Sequence, residues 1–242
     1  MRVGRLYGVG VGPGDPELLT VKATRVIAKA PVVAFFAKAG RRGNARSIVD
    51  RWLKPSHVEL PLYYPMTTES HFDGPPYREA LKLFYAESGA AIAAHLEGGR
   101  DVALLSEGDP LFYGSFMHLF VRLRERFAVT IVPGVSSICG AWGAAETAMT
   151  WGDDSLVVLP ATLPLEELTR RLTLADAAVI MKIGRNFLRA KQALAKAGMA
   201  ERAIYVERAT MDGERVMPIC AKSDDAAPYF SMILVPGRGR RP

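Results

Sequence analysis

The chain predicts an α/β protein made of two α/β domains. Two observations carry that expectation. Short apolar runs alternate with amphipathic stretches from Leu6 to Val235, the pattern of helices covering the faces of a sheet. The alternation pauses at Thr147–Asp154, around Trp151, Gly152 and an Asp pair, and then restarts. The boundary is therefore expected near residue 150, giving an N-terminal domain 1–150 with glycine-rich turns and a C-terminal domain 151–242 with a mixed sheet. The length of 242 residues allows two domains of that size.

In the first half, Leu6–Val11 is a short strand. Pro16–Ala30 is helical, with Leu18, Leu19, Val26 and Ile27 at helical spacing. Val32–Phe36 is a strand, Ala45–Leu53 a helix and Val58–Leu62 a strand. Pro65–Pro76 is a long Pro/Gly/polar loop of the kind that often acts as a lid. Tyr77–Leu96 is a long helix ended by Gly98-Gly99. Val102–Leu105, Leu111–Arg126 and Ala128–Val132 follow as strand, helix and strand, then Ser136–Ala148 as a small-residue helix.

In the second half, Leu156–Leu159 and Ala177–Ile183 are strands, and Glu166–Leu172 and Phe187–Ala197 are helices. Ala203–Val206, Val216–Cys220 and Met232–Val235 are strands with little helix between them, so this sheet is expected to be mixed.

Composition is that of an ordinary globular protein, 49% apolar and 23% charged, which excludes disorder and a disulfide scaffold. The charge of +6 suits acidic partners without choosing among them. Cys139 and Cys220 have no His or Cys at ligand spacing, so neither a zinc site nor a disulfide framework is expected. No apolar run reaches the ~18–20 residues of a membrane helix. The first residues lead straight into a strand, without the apolar core of a signal peptide. A cytoplasmic protein with no membrane contact is expected.

Three glycine turns carry the chemistry. Gly8-Val-Gly-Val-Gly-Pro-Gly-Asp-Pro-Glu-Leu-Leu-Thr20 follows a strand and opens a helix, with Asp15 as N-cap and Pro16 in the first turn. Its spacing is neither the dinucleotide fingerprint nor a phosphate loop. On spacing alone, a tight strand–helix turn explains it equally well. Leu104-Leu-Ser-Glu-Gly-Asp-Pro-Leu-Phe-Tyr-Gly-Ser115 repeats the arrangement, with Asp109 as cap and Pro110 at the helix start. Val132-Pro-Gly-Val-Ser-Ser137 is the third. Ligands of open α/β sheets collect beyond the carboxyl ends of strands, and all three turns lie there. In the second half, Met181-Lys-Ile-Gly-Arg-Asn186 and Val206-Glu-Arg-Ala-Thr-Met-Asp-Gly-Glu-Arg215 also end strands. A site between the domains is the natural expectation. Ordinary turns and a surface Glu207–Arg208 pair remain an equal alternative. His57, His71, His95 and His118 lack partners at i+4, and no nucleophile elbow occurs. The chemistry is expected to need neither a protein nucleophile nor a metal.

Together these motifs resemble the tetrapyrrole methyltransferase family over nearly the whole chain. The family's opening signature is matched by Gly8–Thr20, its Gly-Asp-Pro by Gly108–Pro110, its Pro-Gly-Val-Ser-Ser by Pro133–Ser137 and its Glu-Arg-x-Thr by Glu207–Thr210. Gly43–Ile48, Tyr64–Thr68, the Met181-Lys-Ile element and Tyr229–Ile233 resemble the branch that methylates the C-20 meso carbon of precorrin-2 in cobalamin biosynthesis. The resemblance implies S-adenosylmethionine as cofactor, S-adenosylhomocysteine as its product, a cofactor cleft between two α/β domains, and a homodimer.

Carried over by position, the cofactor should meet Pro13, Glu107, Gly108, Asp109, Ser136, Ser137, Met181, Ala209, Thr210 and Ser231. Relatives often have Gly-Gly-Asp where this chain has Glu107-Gly-Asp109, so the Glu107 contact could be through backbone alone. Asp109, Glu107 and Tyr113 are candidate catalytic groups for taking the proton that leaves after methyl transfer. The substrate is a small polycarboxylate tetrapyrrole. Arg41, Arg42, Arg46 and Arg185 are candidates to pair with its carboxylates, with Arg51 and Lys38 nearby. A solvated basic face is the plain alternative.

Metal-free precorrin-2 and its cobalt complex both remain open as substrate. So do another corrin-ring position, ribosomal RNA as a same-family substrate, and a non-catalytic nucleotide-binding module. Salt-sensitive RNA binding would mark the RNA reading.

Overall fold

The computed structural model describes residues 2–65 and 75–239. The chain divides into two units, Met1–Ser137 and Ile138–Pro242. This division falls ahead of the expected boundary near residue 150.

The first unit holds a five-stranded sheet in the order β3-β2-β4-β1-β5, where β1 is Leu6–Gly10, β2 Val32–Lys38, β3 Val58–Tyr64, β4 Val102–Ser106 and β5 Val129–Val132. Every pairing is parallel. Alternate residues of the strands point to opposite faces. Leu6, Val32, Ala34, Val102 and Leu104 pack under helices α3 (Pro75–Glu97) and α4 (Phe116–Leu123). Val9, Val33, Ala103 and Leu105 pack under α1 (Val21–Lys29) and α2 (Asn44–Ile48). Strands buried on both faces need continuous apolar sequence, and β2 and β4 have it.

The second unit holds a sheet in the order β6-β7-β10-β8-β9, where β6 is Leu156–Pro160, β7 Ala177–Met181, β8 Ile204–Glu207, β9 Arg215–Pro218 and β10 Ser231–Val235. Only β6 and β7 run parallel, so the sheet is mixed, as expected. Helices α6 (Leu165–Thr173) and α7 (Phe187–Lys196) cover one face through Leu168, Leu172, Phe187 and Leu194. Helix α5 (Ser137–Ala144) supplies Ile138, Ala141 and Trp142 to the other face, against Val179, Val206 and Leu234. That packing draws the division of the chain forward from residue 150.

Several helices are shorter than their apolar spacing predicts. Pro16–Ala30 splits into a 3-10 turn, Pro16–Leu18, and α1. Asp15 caps the turn by accepting from Glu17 N at 2.7 Å. Thr20 then starts a new helix by accepting from Ala23 N at 3.1 Å. Ala45–Leu53 breaks at Val49 into α2 and the turn Asp50–Trp52. The helix expected from Leu111 begins only at Phe116, because Tyr113 holds a left-handed conformation at φ +55°. The expected Ser136–Ala148 helix stops at Ala144, and Glu146 turns left-handed at φ +47°. The suggested lid Pro65–Pro76 falls largely on residues 66–74, outside the described residues.

A buried cation fixes α2. Arg46 is only 7% exposed. Its guanidinium grips Glu59 on β3 through two bonds, of 2.7 and 2.8 Å, and Asp50 through one of 2.6 Å. The hydrogen bonds from Arg46 hold both carboxyls below their ordinary values of 4.5 and 3.8. A depressed carboxylate stabilises the fold fully above its ordinary pKa and loses that contribution as pH falls through the lowered one. Arg46→Met should therefore lower Tm by several degrees at neutral pH. The gap to the wild type should begin to narrow below about pH 4 and close only as pH falls through the lowered values. Thermal melts at a series of pH values check both points.

Candidate active site

Strands β4, β1 and β5 are neighbours and parallel, so their carboxyl ends share one edge. The three glycine turns leave from that edge and converge. Gly108 N donates to Gly12 O at 2.8 Å, joining the second turn to the first. Gly134 N donates to Asp109 Oδ2 at 3.2 Å, joining the third to the second. A Cβ on Gly10 would stand 2.5 Å from Gly134 N and 2.6 Å from Gly108 O. The approach is backbone on backbone, and a side chain there would force the turns apart. Gly108 also sits at φ +65°, within the left-handed region.

The polar groups on this edge differ in their surroundings. Asp109 is half-buried, and its Oδ1 accepts from Leu111 N at 2.9 Å while Oδ2 meets Gly134 N. The expected cap for a following helix is instead a clasp between two turns. Glu107 keeps exposed surface, but desolvation pushes its carboxyl above the usual range. Hydrogen bonding from the Asn44 side chain and the Ala45 backbone opposes that rise without cancelling it. Tyr113 is exposed, and its ring lies edge-on to Phe112 at 4.9 Å. Pro13 is buried in the first turn, and Ser136 and Ser137 are half-buried at the start of α5.

In the second unit, Met181, Glu207 and Ser231 share one edge of the sheet. Register sets it: Ile180 pairs with Ile233, and Glu207 with Ser231. Ala209 and Thr210 continue from that edge, both half-buried. Ser231 is buried, and its Oγ donates to Pro228 O at 2.9 Å and lies 3.2 Å from Tyr205 Oη. Tyr205 donates to Glu207 Oε2 at 2.8 Å. Burial, first among the causes, pushes the Tyr205 phenol up to about 12. Thr210 N donates to Glu214 Oε2 at 2.6 Å.

The strained backbone marks the same loops. Among the described residues, positive φ in non-glycine positions occurs at Tyr113, Glu146, Lys182, Arg208 and Thr210. All but Glu146 lie on loops that the sequence assigns to cofactor or catalysis. Thr210, at φ +64°, is β-branched, a combination rarely tolerated. Such strain persists only where the surroundings over-determine it, commonly at ligand sites. It leaves no mark in a single sequence.

The basic residues separate by environment. Arg41 and Arg42 are exposed beyond β2, and Arg42 pairs with Asp50 at 2.7 Å. Arg46 is committed to its internal pairs. Arg51 stacks over Trp52 at 4.4 Å. Arg185 is exposed on the turn Gly184–Asn186 of the second unit. Sequence reasoning passed over Tyr85 and noted Tyr64 and Ser115 only as motif members, yet the three hydroxyls meet beside the second turn. It noted Asn44 only as part of a branch motif. No group of three His, Cys, Asp or Glu among the described residues could hold a metal. No described helix is long and apolar enough to cross a membrane.

The sequence model of the tetrapyrrole (corrin/porphyrin) methylases matches residues 5–221. The chain belongs to this family. It is 55% identical to the precorrin-2 C(20)-methyltransferase of Sinorhizobium sp, over 99% of this chain and 98% of that one. It is 33% identical to the cobalt-precorrin-2 C(20)-methyltransferase of Salmonella typhimurium, over 96% of each. Its fold matches a uroporphyrin-III C-methyl transferase from Thermus thermophilus, complexed with S-adenyl homocysteine. There the TM-score is 0.68 and the identity 23%, over 96% of this chain and 92% of that one.

In this methylase the glycine convergence can be tested directly. Gly10→Ala should cost about 1–3 kcal/mol by overpacking and should weaken S-adenosylhomocysteine binding. Gly143→Ala, at a glycine where a Cβ meets nothing within 4 Å, should do neither. Chemical denaturation and calorimetric titration give the two readings.

Proposed function

We propose that this chain is an S-adenosylmethionine-dependent C-methyltransferase that methylates the C-20 meso carbon of precorrin-2, giving precorrin-3A in cobalamin biosynthesis. The end-to-end likeness to the Sinorhizobium enzyme carries this reading. The converged glycine turns support it. Backbone stripped of side chains, small serines and strained loops suit a flat, polar nucleoside better than an apolar ligand.

Pro13, Glu107–Asp109, Ser136 and Ser137 would hold the cofactor in the first unit. Met181, Ala209 and Thr210 would add contacts from the second, with Ser231 acting through its backbone because its hydroxyl is already engaged. When bound, S-adenosylmethionine supplies a methyl group already activated on a sulfonium.

The accepting meso carbon of a reduced tetrapyrrole is electron-rich, conjugated to pyrrole nitrogens. The protein's tasks are then to align that carbon, exclude water and take up a proton. Alignment alone can supply ~7–11 kcal/mol of the barrier. Glu107 is the fitter proton acceptor, since its raised pKa makes it the stronger base. Asp109 spends both oxygens on backbone N–H groups. Arg41, Arg42 and Arg185 would pair with substrate carboxylates at exposed positions. Arg46 would act only indirectly, by holding α2 in place. A homodimer in the cytoplasm is part of the same proposal, and light scattering tests the dimer.

The deciding experiment is anaerobic turnover with labelled S-adenosylmethionine and fresh precorrin-2, with and without cobalt. One methyl at C-20 is expected, with the metal-free substrate preferred. Cofactor binding without transfer to either form would overturn the substrate assignment.

Glu107→Gln should lower kcat about 10²- to 10⁴-fold. A base must be deprotonated to act, so wild-type kcat should fall as pH drops through the raised Glu107 value. The variant should lack that acid limb. An unchanged kcat in Glu107→Gln would remove Glu107 from the chemistry.

A further inference from the structure

Ser115 occupies the N-cap position of α4, at φ −66° and ψ −20°, yet its side chain makes no capping bond. Serine in that position ordinarily accepts a backbone N–H of the following turn. Here the hydroxyl is turned to two tyrosines instead. Ser115 Oγ lies 2.5 Å from Tyr64 Oη and accepts from Tyr85 Oη at 3.1 Å.

Both tyrosines are themselves fixed. Tyr64 ends β3, and its ring packs on Phe36 at 5.6 Å and on Phe84 at 4.8 Å. Tyr85 lies on α3, 6% exposed, with its ring stacked on His118 at 4.3 Å. Burial, the first cause, pushes the Tyr85 phenol above its ordinary value, so it stays protonated as a donor at neutral pH. Three elements of the first unit therefore meet on one serine oxygen.

That oxygen ends the second glycine turn. The turn is fastened at its front by Gly108 N on Gly12 O and by Asp109 on Gly134 N. Its far end carries Tyr113 at φ +55°, two residues before Ser115. A left-handed non-glycine residue persists where the surrounding structure over-determines it.

We infer that Ser115, gripped by Tyr64 and Tyr85, is a positioning residue that fixes the Glu107–Tyr113 loop in its reactive arrangement. In this role it acts through the loop and not by direct contact with a reactant. Its effect on methyl transfer rests on the function proposed above, whereas its effect on the loop does not.

The test uses the full chain with Ser115→Ala and the double variant Tyr64→Phe/Tyr85→Phe. Hydrogen exchange of the 107–114 amides is measured without any substrate. Both variants should exchange faster there, with the second unit unchanged. In turnover, kcat per folded enzyme should fall about 10- to 100-fold, the scale of a misplaced reacting group. KM for the tetrapyrrole should stay within about threefold. A merely structural role would lower Tm and leave kcat per folded molecule unchanged. Wild-type loop exchange in both variants, or unchanged kcat per folded enzyme, would overturn the inference. A wild type that exchanges as expected but transfers no methyl would sink the functional reading instead.

Discussion

The first unit depends on one close approach, that of the Gly10, Gly108 and Gly134 backbones at the ends of three neighbouring parallel strands. Parallel pairing brings the strand ends to one edge, and the absence of Cβ atoms lets the turns touch. The Gly12–Gly108 bond and the Asp109 clasp then tie turn to turn. Backbone N–H and C=O groups are obligatory hydrogen-bonding partners, so three turns sharing them become one surface. A surface made that way is rigid without large side chains. It offers polar backbone at the strand ends with few side chains in the way.

The same economy explains the charges. A cluster of arginines after β2 invites a single explanation, binding of an acidic substrate. The structure divides the cluster instead. Arg46 faces inward and braces α2 against β3 through Glu59, whereas Arg41 and Arg42 stay in solvent. The brace has a functional consequence, because α2 begins with Asn44 and Ala45, the groups that steady Glu107. An interior ion pair thus shapes the site at one remove.

The α/β class, the parallel and mixed sheets and the three turns were legible because each rests on local pattern. Periodicity of two or 3.6 and glycine spacing are properties of neighbouring residues. The Arg46–Glu59 pair was not legible, because Glu59 lies thirteen residues away on another element. Helix limits failed where side chains made non-local bonds. Asp109 looked like the cap of a helix from Leu111, but it closes its own turn and binds Gly134. The hold of Pro228 and Tyr205 on the Ser231 hydroxyl is likewise set by the fold and not by spacing. Left-handed Tyr113, Lys182, Arg208 and Thr210 could not be foreseen at all, since none is glycine or asparagine.

Two carboxylates two residues apart end up with different chemistry. Asp109 accepts two backbone N–H bonds, which tie it to the scaffold. Glu107 gains less from Asn44 and Ala45 than it loses by desolvation, so it holds a proton more readily. Asp109 keeps the turns together, and burial leaves Glu107 a stronger base than an ordinary glutamate. Glu107 thus brings a raised carboxyl to the second turn without entering the close backbone contacts that Gly10, Gly108 and Gly134 make.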